Sequence, residues 1–209
     1  MTQVIEVVRL AIRGFIRHLA RRLNKATNGR IHPDAVTIFG VIMHIPIALL
    51  IAMGGYGILA AVLLIFFGLF DTLDGELARL QNRSGPKGML LDASTDRFKE
   101  VLLYTGAAYA FALSSHPATA AWAAAACGVS LCVSYVKAKG EAAVGSAKKE
   151  LSHHELNQLF KDGLLTFEIR MAVLTVGLLI DQLVFAVAFI AVFATFTALN
   201  RLVRITKAL

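Results

Sequence analysis

The sequence predicts an all-α integral membrane protein with six transmembrane helices and an N-terminal amphipathic interfacial helix. Apolar residues make up 57% of the 209-residue chain, well above the roughly 45–50% of soluble domains. The net charge is +7, but the basic residues fall in a few blocks separated by long uncharged stretches, unlike those of a soluble nucleic-acid-binding protein. We expect a single membrane domain over 1–209, with a juxtamembrane helix over 1–30 and the helix bundle over 33–204.

The segment before the first apolar stretch has the pattern of an amphipathic helix. Apolar residues recur there at helical spacing, and Arg9, Arg13, Arg17 and Arg21 step by four along another side. We expect this helix to lie on the surface of the inner leaflet. A signal peptide is a poorer interpretation, because the arginines interrupt every apolar core that such a peptide would need.

Six apolar stretches approach the length of about 20 residues that a membrane-spanning helix requires. They cover residues 35–53, 56–80, 89–114, 119–136, 164–180 and 183–203. The polar stretch 137–163 is expected to be a cytosolic loop with some helix.

The distribution of basic residues predicts the orientation of these spans. All 21 Lys and Arg residues lie before the first span, in or beside the second and fourth connections, or in the tail. With six spans, these four segments are on one side of the membrane, and the excess of basic residues marks that side as cytoplasmic. We therefore expect a multi-pass protein of the inner membrane with both termini in the cytoplasm.

Four aspartates interrupt the second and third spans, where each acidic side chain near a helix centre costs about 2.5–3.5 kcal/mol on insertion scales. Asp71 and Asp74 are three residues apart and Asp92 and Asp96 are four apart, so each pair shares a helix face. Because the two helices are consecutive and antiparallel, the pairs are expected to converge near the cytosolic helix ends. The alternative is that the acids only pair with Arg79, Arg83 and Lys99 at the membrane interface.

Converging carboxylates repel one another unless a cation lies among them. Oxygen ligands without His or Cys favour a hard divalent ion, Mg²⁺ first, with Mn²⁺ and Ca²⁺ as competitors. Gly75, Ala78 and Gly88 leave room for a ligand to approach the backbone, and Arg79 has a guanidinium group suited to phosphate. These residues predict a site for a phosphorylated ligand, near the cytosolic ends of the two helices.

Other possible metal ligands are weaker candidates. His153, His154 and Glu155 are expected to form a solvated patch, because no further ligands accompany them at helical spacing. Cys127 and Cys132 are five residues apart and so lie on different helix faces, which disfavours a disulfide or a metal pair. We expect both cysteines to be core residues.

From residue 71 to residue 96 the chain follows the pattern D-x2-D-G-x2-A-R-x8-G-x3-D-x3-D. This segment resembles the signature of the CDP-alcohol phosphatidyltransferases at all eight fixed positions. Through the six-helix layout and the amphipathic N-terminal helix, the resemblance extends over nearly the whole chain. A non-enzymatic ion transporter also places carboxylates in membrane helices, but it would not need the glycines, the alanine and the arginine at fixed spacing.

The resemblance implies an enzyme that transfers the phosphatidyl group of CDP-diacylglycerol, or of a dialkyl equivalent, to an alcohol and releases CMP. It implies that Asp71, Asp74 and Asp92 hold two divalent ions, taken as Mg²⁺ with Mn²⁺ possible, and that Asp96 completes the metal site and acts as the base. It also implies a homodimer. By the same resemblance, the residues expected to bind the CDP-lipid are Asp34, Thr37, Gly75, Ala78, Arg79 and Gly88.

The alcohol is expected to be inositol 1-phosphate, so that the product is phosphatidylinositol phosphate. Arg97 follows the last aspartate, and residues 134–141 read S-Y-V-K-A-K-G-E, which resembles the S-Y-V/I-K-A-R-x-E of the subgroup that uses this acceptor. Lys137, Arg170 and Arg201 lie at the cytosolic ends of three helices and are expected to bind the acceptor phosphate. Two alternatives stay open: these residues are ordinary flanking charges, or the acceptor is glycerol 3-phosphate.

Overall fold

A computed structural model describes residues 2–146 and 165–208, with side chains over 12–145 and 165–208. Throughout these residues the regular secondary structure is helical, which confirms the predicted all-α class. A short 3-10 helix, Pro117–Thr119, precedes the fifth α-helix. The α-helices are α1 Thr2–Ala26, α2 Pro33–Met53, α3 Gly57–Leu80, α4 Pro86–Ala112, α5 Ala120–Ser146, α6 Phe167–Leu179 and α7 Leu183–Ala208.

Four helical segments are long and apolar enough to cross a membrane, and they correspond to the first, second, fourth and sixth predicted spans. These segments are Pro33–Met53, Gly57–Leu80, Pro117–Gly145 and Leu183–Ala208. By contrast, α6 has 13 residues, or about 20 Å of helix, which is less than the hydrocarbon core of about 30 Å. The third and fifth spans therefore remain predictions.

The fourth predicted span differs most in extent from the observed helix. α5 continues ten residues past the predicted end of the fourth span at 136, up to Ser146, which confirms that the stretch 137–163 contains some helix. The residues over this extension are mostly Ala, Lys and Glu, which favour helix without needing burial. Residues 147–164, with the predicted patch at His153, His154 and Glu155, lie outside the described residues.

The two cysteines are free, which confirms that they do not form a disulfide. Cys127 is partly buried but Cys132 is exposed, so the prediction that both are core residues is wrong for Cys132. The reason is that an apolar stretch of a membrane helix has no polar face to mark its outer side. An apolar residue there can face outward as readily as inward.

The helices belong to two compact units. The first comprises Met1–Ile47 and Val62–Leu102. One cluster of its buried apolar residues comes from α1, α2 and α3, and its members are Ile16, Ala20, Val36, Leu73 and Leu77. The face of α1 that carries Ile16 and Ala20 thus packs against the bundle, which holds the N-terminal helix beside the end of α3.

The end of α3 is closed by a helix-capping turn. Asn82 has a positive φ of 53°, and the N–H group of Arg83 donates to the carbonyl of Ala78 over 2.8 Å, the 6→1 bond of a Schellman motif. Gln81 Nε2 also donates to Asn24 Oδ1 and to the carbonyl of Ile31, each over 2.9 Å. These contacts join the α3–α4 turn to the α1–α2 connection.

The second unit comprises Ala48–Ala61 and Leu103–Leu209. In it α7 packs along α5 and against α6. The buried Leu165 N–H group donates to Thr197 Oγ1 of α7 over 3.2 Å, which ties the start of α6 to α7.

Gly106 of α4 lies directly against the α2 backbone in this unit, because a Cβ built on it would overlap the carbonyl group of Ala48. We expect Gly106→Ala to destabilise the protein by about 1–3 kcal/mol, since the two helices must separate, and to lower the midpoint of thermal unfolding in detergent. A Cβ at Gly128 of α5 would meet nothing within 4 Å. Gly128→Ala is therefore the matched control and should be neutral or stabilising; equal midpoints for the two variants would contradict the close approach.

Candidate metal and nucleotide site

Three of the four signature carboxylates gather where α3 and α4 come together. Asp71, Asp74 and Asp92 each present one carboxylate oxygen, and these three oxygens lie within 4.8 Å of one another. Oxygens that each lie 2.0–2.6 Å from a shared ion are at most about 5 Å apart, so the set fits one cation. Its all-oxygen chemistry suits a hard divalent ion.

Thr37 of α2 orients the most buried of these carboxylates. Its Oγ1 donates to Asp74 Oδ2 over 2.5 Å, and both side chains are buried. Asp34, one turn earlier, has Oδ2 at 3.3 Å from Lys87 Nζ, in the first turn of α4. The first turn of α2, which was predicted to bind the nucleotide, therefore lies beside the signature residues of α3 and α4.

The fourth carboxylate is connected to the others by a buried lysine. Lys99 of α4 is 1% exposed, and its ammonium group donates to Asp71 and, over 3.2 Å, to Asp96 Oδ1. This lysine was not among the site residues predicted from the sequence. Its position three residues after Asp96, on the same helix face, is the signal that would have found it.

A second residue that escaped prediction, Glu76, lies inside the signature. Its carboxylate is almost fully buried and accepts hydrogen bonds from Arg13 Nε at 3.1 Å and Arg17 Nε at 3.3 Å. Arg79 Nη2 is 2.9 Å from the same carboxylate. Glu76 therefore joins α1 to α3 and holds Arg79. The arginines that step by four along α1 were the sequence signal for its partners.

The small residues of the signature differ in their surroundings. A Cβ built at Gly75 would lie 3.6 Å from Arg79 Nη2, so the guanidinium group is folded back over this glycine. A Cβ built at Gly88 would meet nothing within 4 Å, and Ala78 is only partly buried. Open space at Gly88, one turn before Asp92, is what close approach of a ligand to the backbone requires.

The three residues predicted to bind the acceptor phosphate lie in the second unit, and two of them, Lys137 and Arg201, interact with Glu141. Lys137 Nζ is 3.9 Å from Glu141 Oε1, and Arg201 interacts electrostatically with both Glu141 and Arg170. The two arginine side chains are buried. Arg170 Nη1 donates to the carbonyl of Leu165 over 2.8 Å, and Arg201 Nη1 donates to the carbonyl of Val133 over 3.0 Å.

Comparisons with known proteins agree with the signature. The sequence model of the family described as CDP-alcohol phosphatidyltransferase matches residues 30–197. A phosphatidylinositol phosphate synthase of Corynebacterium glutamicum is 38% identical over 116 residues, 54% of this chain and 52% of the relative. A protein of the same name from Cutibacterium acnes is 34% identical over 119 residues, 56% of each chain. The chain thus spans about half the length of the curated relatives it matches.

The fold also matches a solved structure over most of its length. The crystal structure of Mycobacterium tuberculosis phosphatidylinositol phosphate synthase in complex with manganese and citrate aligns with a TM-score of 0.77 and 25% sequence identity. The alignment covers 91% of this chain and 88% of that chain. The likeness therefore includes residues outside the segments matched by the curated relatives.

We expect Glu76→Gln to loosen the attachment of α1, because the substitution removes the charge that pairs with Arg13, Arg17 and Arg79. Hydrogen bonds to charged groups contribute about 1.5–3 kcal/mol when buried and less when exposed. Amide hydrogen exchange in α1 should therefore rise on the order of tenfold, equivalent to about 1.4 kcal/mol. Arg21→Gln, which removes an exposed charge from α1, is the control. Unchanged exchange in Glu76→Gln would show that Ile16 and Ala20 alone hold the helix.

Proposed function

Because the chain belongs to the CDP-alcohol phosphatidyltransferase family, whose sequence model matches residues 30–197, we propose that it transfers the phosphatidyl group of CDP-diacylglycerol to inositol 1-phosphate. The products are CMP and phosphatidylinositol phosphate. The observation that carries the proposal is the convergence of Asp71, Asp74 and Asp92 of the signature on one small volume. The names of the curated relatives and of the similar solved structure support inositol phosphate as the acceptor.

We further propose that the whole chain acts as one domain of the inner membrane, with α2–α7 as six spans and the termini and site on the cytoplasmic side. The block distribution of the 21 basic residues supports this orientation. Phe15 and Leu19 of α1 are exposed, opposite the arginine side of the helix, which supports a position in the membrane interface. The family resemblance supports a homodimer.

The metal is proposed to be Mg²⁺, two ions per site, with Mn²⁺ as a substitute. Asp71, Asp74 and Asp92 would hold the ions and Asp96 would complete the site. The manganese in the similar solved structure supports a divalent ion. When bound, such ions neutralise negative charge on a diphosphate and align an in-line displacement.

The protein's own residues bind and orient the donor. Thr37 fixes the direction of the Asp74 carboxylate through its 2.5 Å hydrogen bond. Glu76 holds Arg79 over Gly75, from where its guanidinium group donates to a phosphate of the donor. Gly75, Ala78 and Gly88 leave room for the cytidine nucleotide at the backbone, and Asp34 lies at the edge of this region.

The chemical step needs a base that takes the proton from the attacking hydroxyl group of inositol 1-phosphate. The hydroxyl oxygen attacks the lipid-side phosphorus of the donor, the bond from this phosphorus to the CMP oxygen breaks, and the proton passes to Asp96. The side chain of Asp96 is 18% exposed, so its carboxylate can be reached by a ligand. General-base catalysis of this kind contributes about 10²–10⁴-fold to the rate.

The acceptor phosphate is proposed to bind to Lys137, Arg170 and Arg201. Arg170 and Arg201 are buried cations that repel each other electrostatically. A dianionic phosphate ester would offset this repulsion and accept hydrogen bonds from both guanidinium groups. The positive charge that Arg170 and Arg201 place close together supports the assignment of this region to the phosphorylated acceptor.

An acceptor competition assay tests the function. Purified protein in lipid is given CDP-diacylglycerol together with inositol 1-phosphate and glycerol 3-phosphate at equal concentrations. We expect mass spectrometry to show phosphatidylinositol phosphate as the main product. Phosphatidylglycerophosphate as the main product would establish the alternative acceptor. An intact donor with both acceptors present would overturn the transferase assignment.

In the same assay, Lys137→Gln should raise KM for inositol 1-phosphate on the order of tenfold, because one charge-assisted contact worth about 1.5–3 kcal/mol is lost. KM for the CDP-lipid should stay unchanged. Lys207→Gln is the control, since Lys207 is an exposed lysine in the last turn of α7. Equal changes in KM for both substrates would show that Lys137 does not bind the acceptor phosphate.

Asp96→Asn should lower turnover by at least the roughly 10²-fold attributed to a general base, while binding of the CDP-lipid persists because Asp71, Asp74 and Asp92 remain. Steady-state kinetics and a separate binding titration measure the two effects. Asp181→Asn is the matched control: Asp181 has a positive φ of 55°, a conformation that Asn also tolerates. Near-normal turnover of Asp96→Asn would exclude Asp96 as the base.

A further inference from the structure

Lys99 places a positive charge inside the cluster of signature carboxylates. Its side chain is 1% exposed, and its ammonium group bonds to Asp71 of α3 and to Asp96 of α4. Burying a lysine removes its ammonium group from water, which is unfavourable unless carboxylates compensate for it. Asp71 and Asp96 provide this compensation, so the lysine and the two carboxylates stabilise one another.

The ammonium group of Lys99 hinders a divalent ion at one of two possible positions more than at the other. Asp71, Asp74 and Asp92 already offer three oxygens close together, and a carboxylate has enough lone pairs for Asp71 to serve an ion and the lysine at once. An ion held by Asp71 and Asp96 would instead share both carboxylates with the ammonium group. Two cations on the same pair of carboxylates repel each other.

We propose that Lys99 acts as a built-in cation in place of one divalent ion. The protein alone then binds one divalent ion tightly, at Asp71, Asp74 and Asp92. A second ion binds well only when a diphosphate brings additional negative charge to the site. The inference rests on the proposed function only for the diphosphate donor; the effect of Lys99 on ion binding does not depend on turnover.

The experiment counts bound Mn²⁺ per chain by electron paramagnetic resonance and calorimetry, with and without CDP as the soluble diphosphate probe. For the unaltered protein we expect one tightly bound ion without CDP and a second ion that binds at least about tenfold more tightly with CDP. Lys99→Met should bind two ions without CDP, because the competing charge is gone. Lys99→Arg, which keeps the charge, should behave like the unaltered protein.

Lys87→Met is the matched control, because it removes a lysine from the same helix that is 88% exposed and pairs with Asp34, not with the four signature aspartates. It should retain one tight ion. Two equally tight ions in the unaltered protein without CDP would overturn the proposal, as would a single ion in a folded Lys99→Met protein. If Lys99→Met does not fold, the count for the unaltered protein with and without CDP decides the question. A protein that fails the acceptor assay but shows these counts would refute the function and leave the role of Lys99 standing.

Discussion

Negative charge held inside apolar helices governs the arrangement of the first unit. Asp74 is buried, Asp71 partly buried and Asp92 exposed, and the repulsion among these carboxylates grows with burial unless donors and cations offset it. The structure supplies a hydroxyl group from α2 for Asp74 and an ammonium group from α4 for Asp71. The packing of three helices is thus coupled to the charge state of one site.

The fixed spacing of the signature follows from the way α3 ends. The eight residues between Arg79 and Gly88 hold the last residue of α3, the capping turn at Asn82 and the first residues of α4. An inserted or deleted residue between the start of α4 and Asp92 would rotate Asp92 and Asp96 by about 100° about the axis of α4 relative to the α3 pair. The spacing is therefore a geometric requirement of a site built from two consecutive helices.

The residues that share a face of one helix could be predicted from the sequence, whereas the contacts between helices largely could not. Three- and four-residue spacings placed Asp71 with Asp74 and Asp92 with Asp96, and the structure brings three of them together. The partners of Glu76 on α1 escaped prediction because spacing shows which face a residue occupies but not which neighbouring helix covers it. Some helix was expected within 137–163, but its end at Ser146 could not be predicted, because the apolar pattern stops at 136 while the backbone hydrogen bonds of the helix continue.

That extension changes how a ligand would be recognised. Lys137 and Glu141 stand on one continuous helix that runs to Ser146, not on a polar loop. A loop must lose conformational entropy each time it orders around a ligand, about 1–2 kcal/mol per backbone residue, whereas a helix has lost it on folding. Side chains carried on such a rigid support are preorganised, so their contacts translate into affinity with little ordering cost.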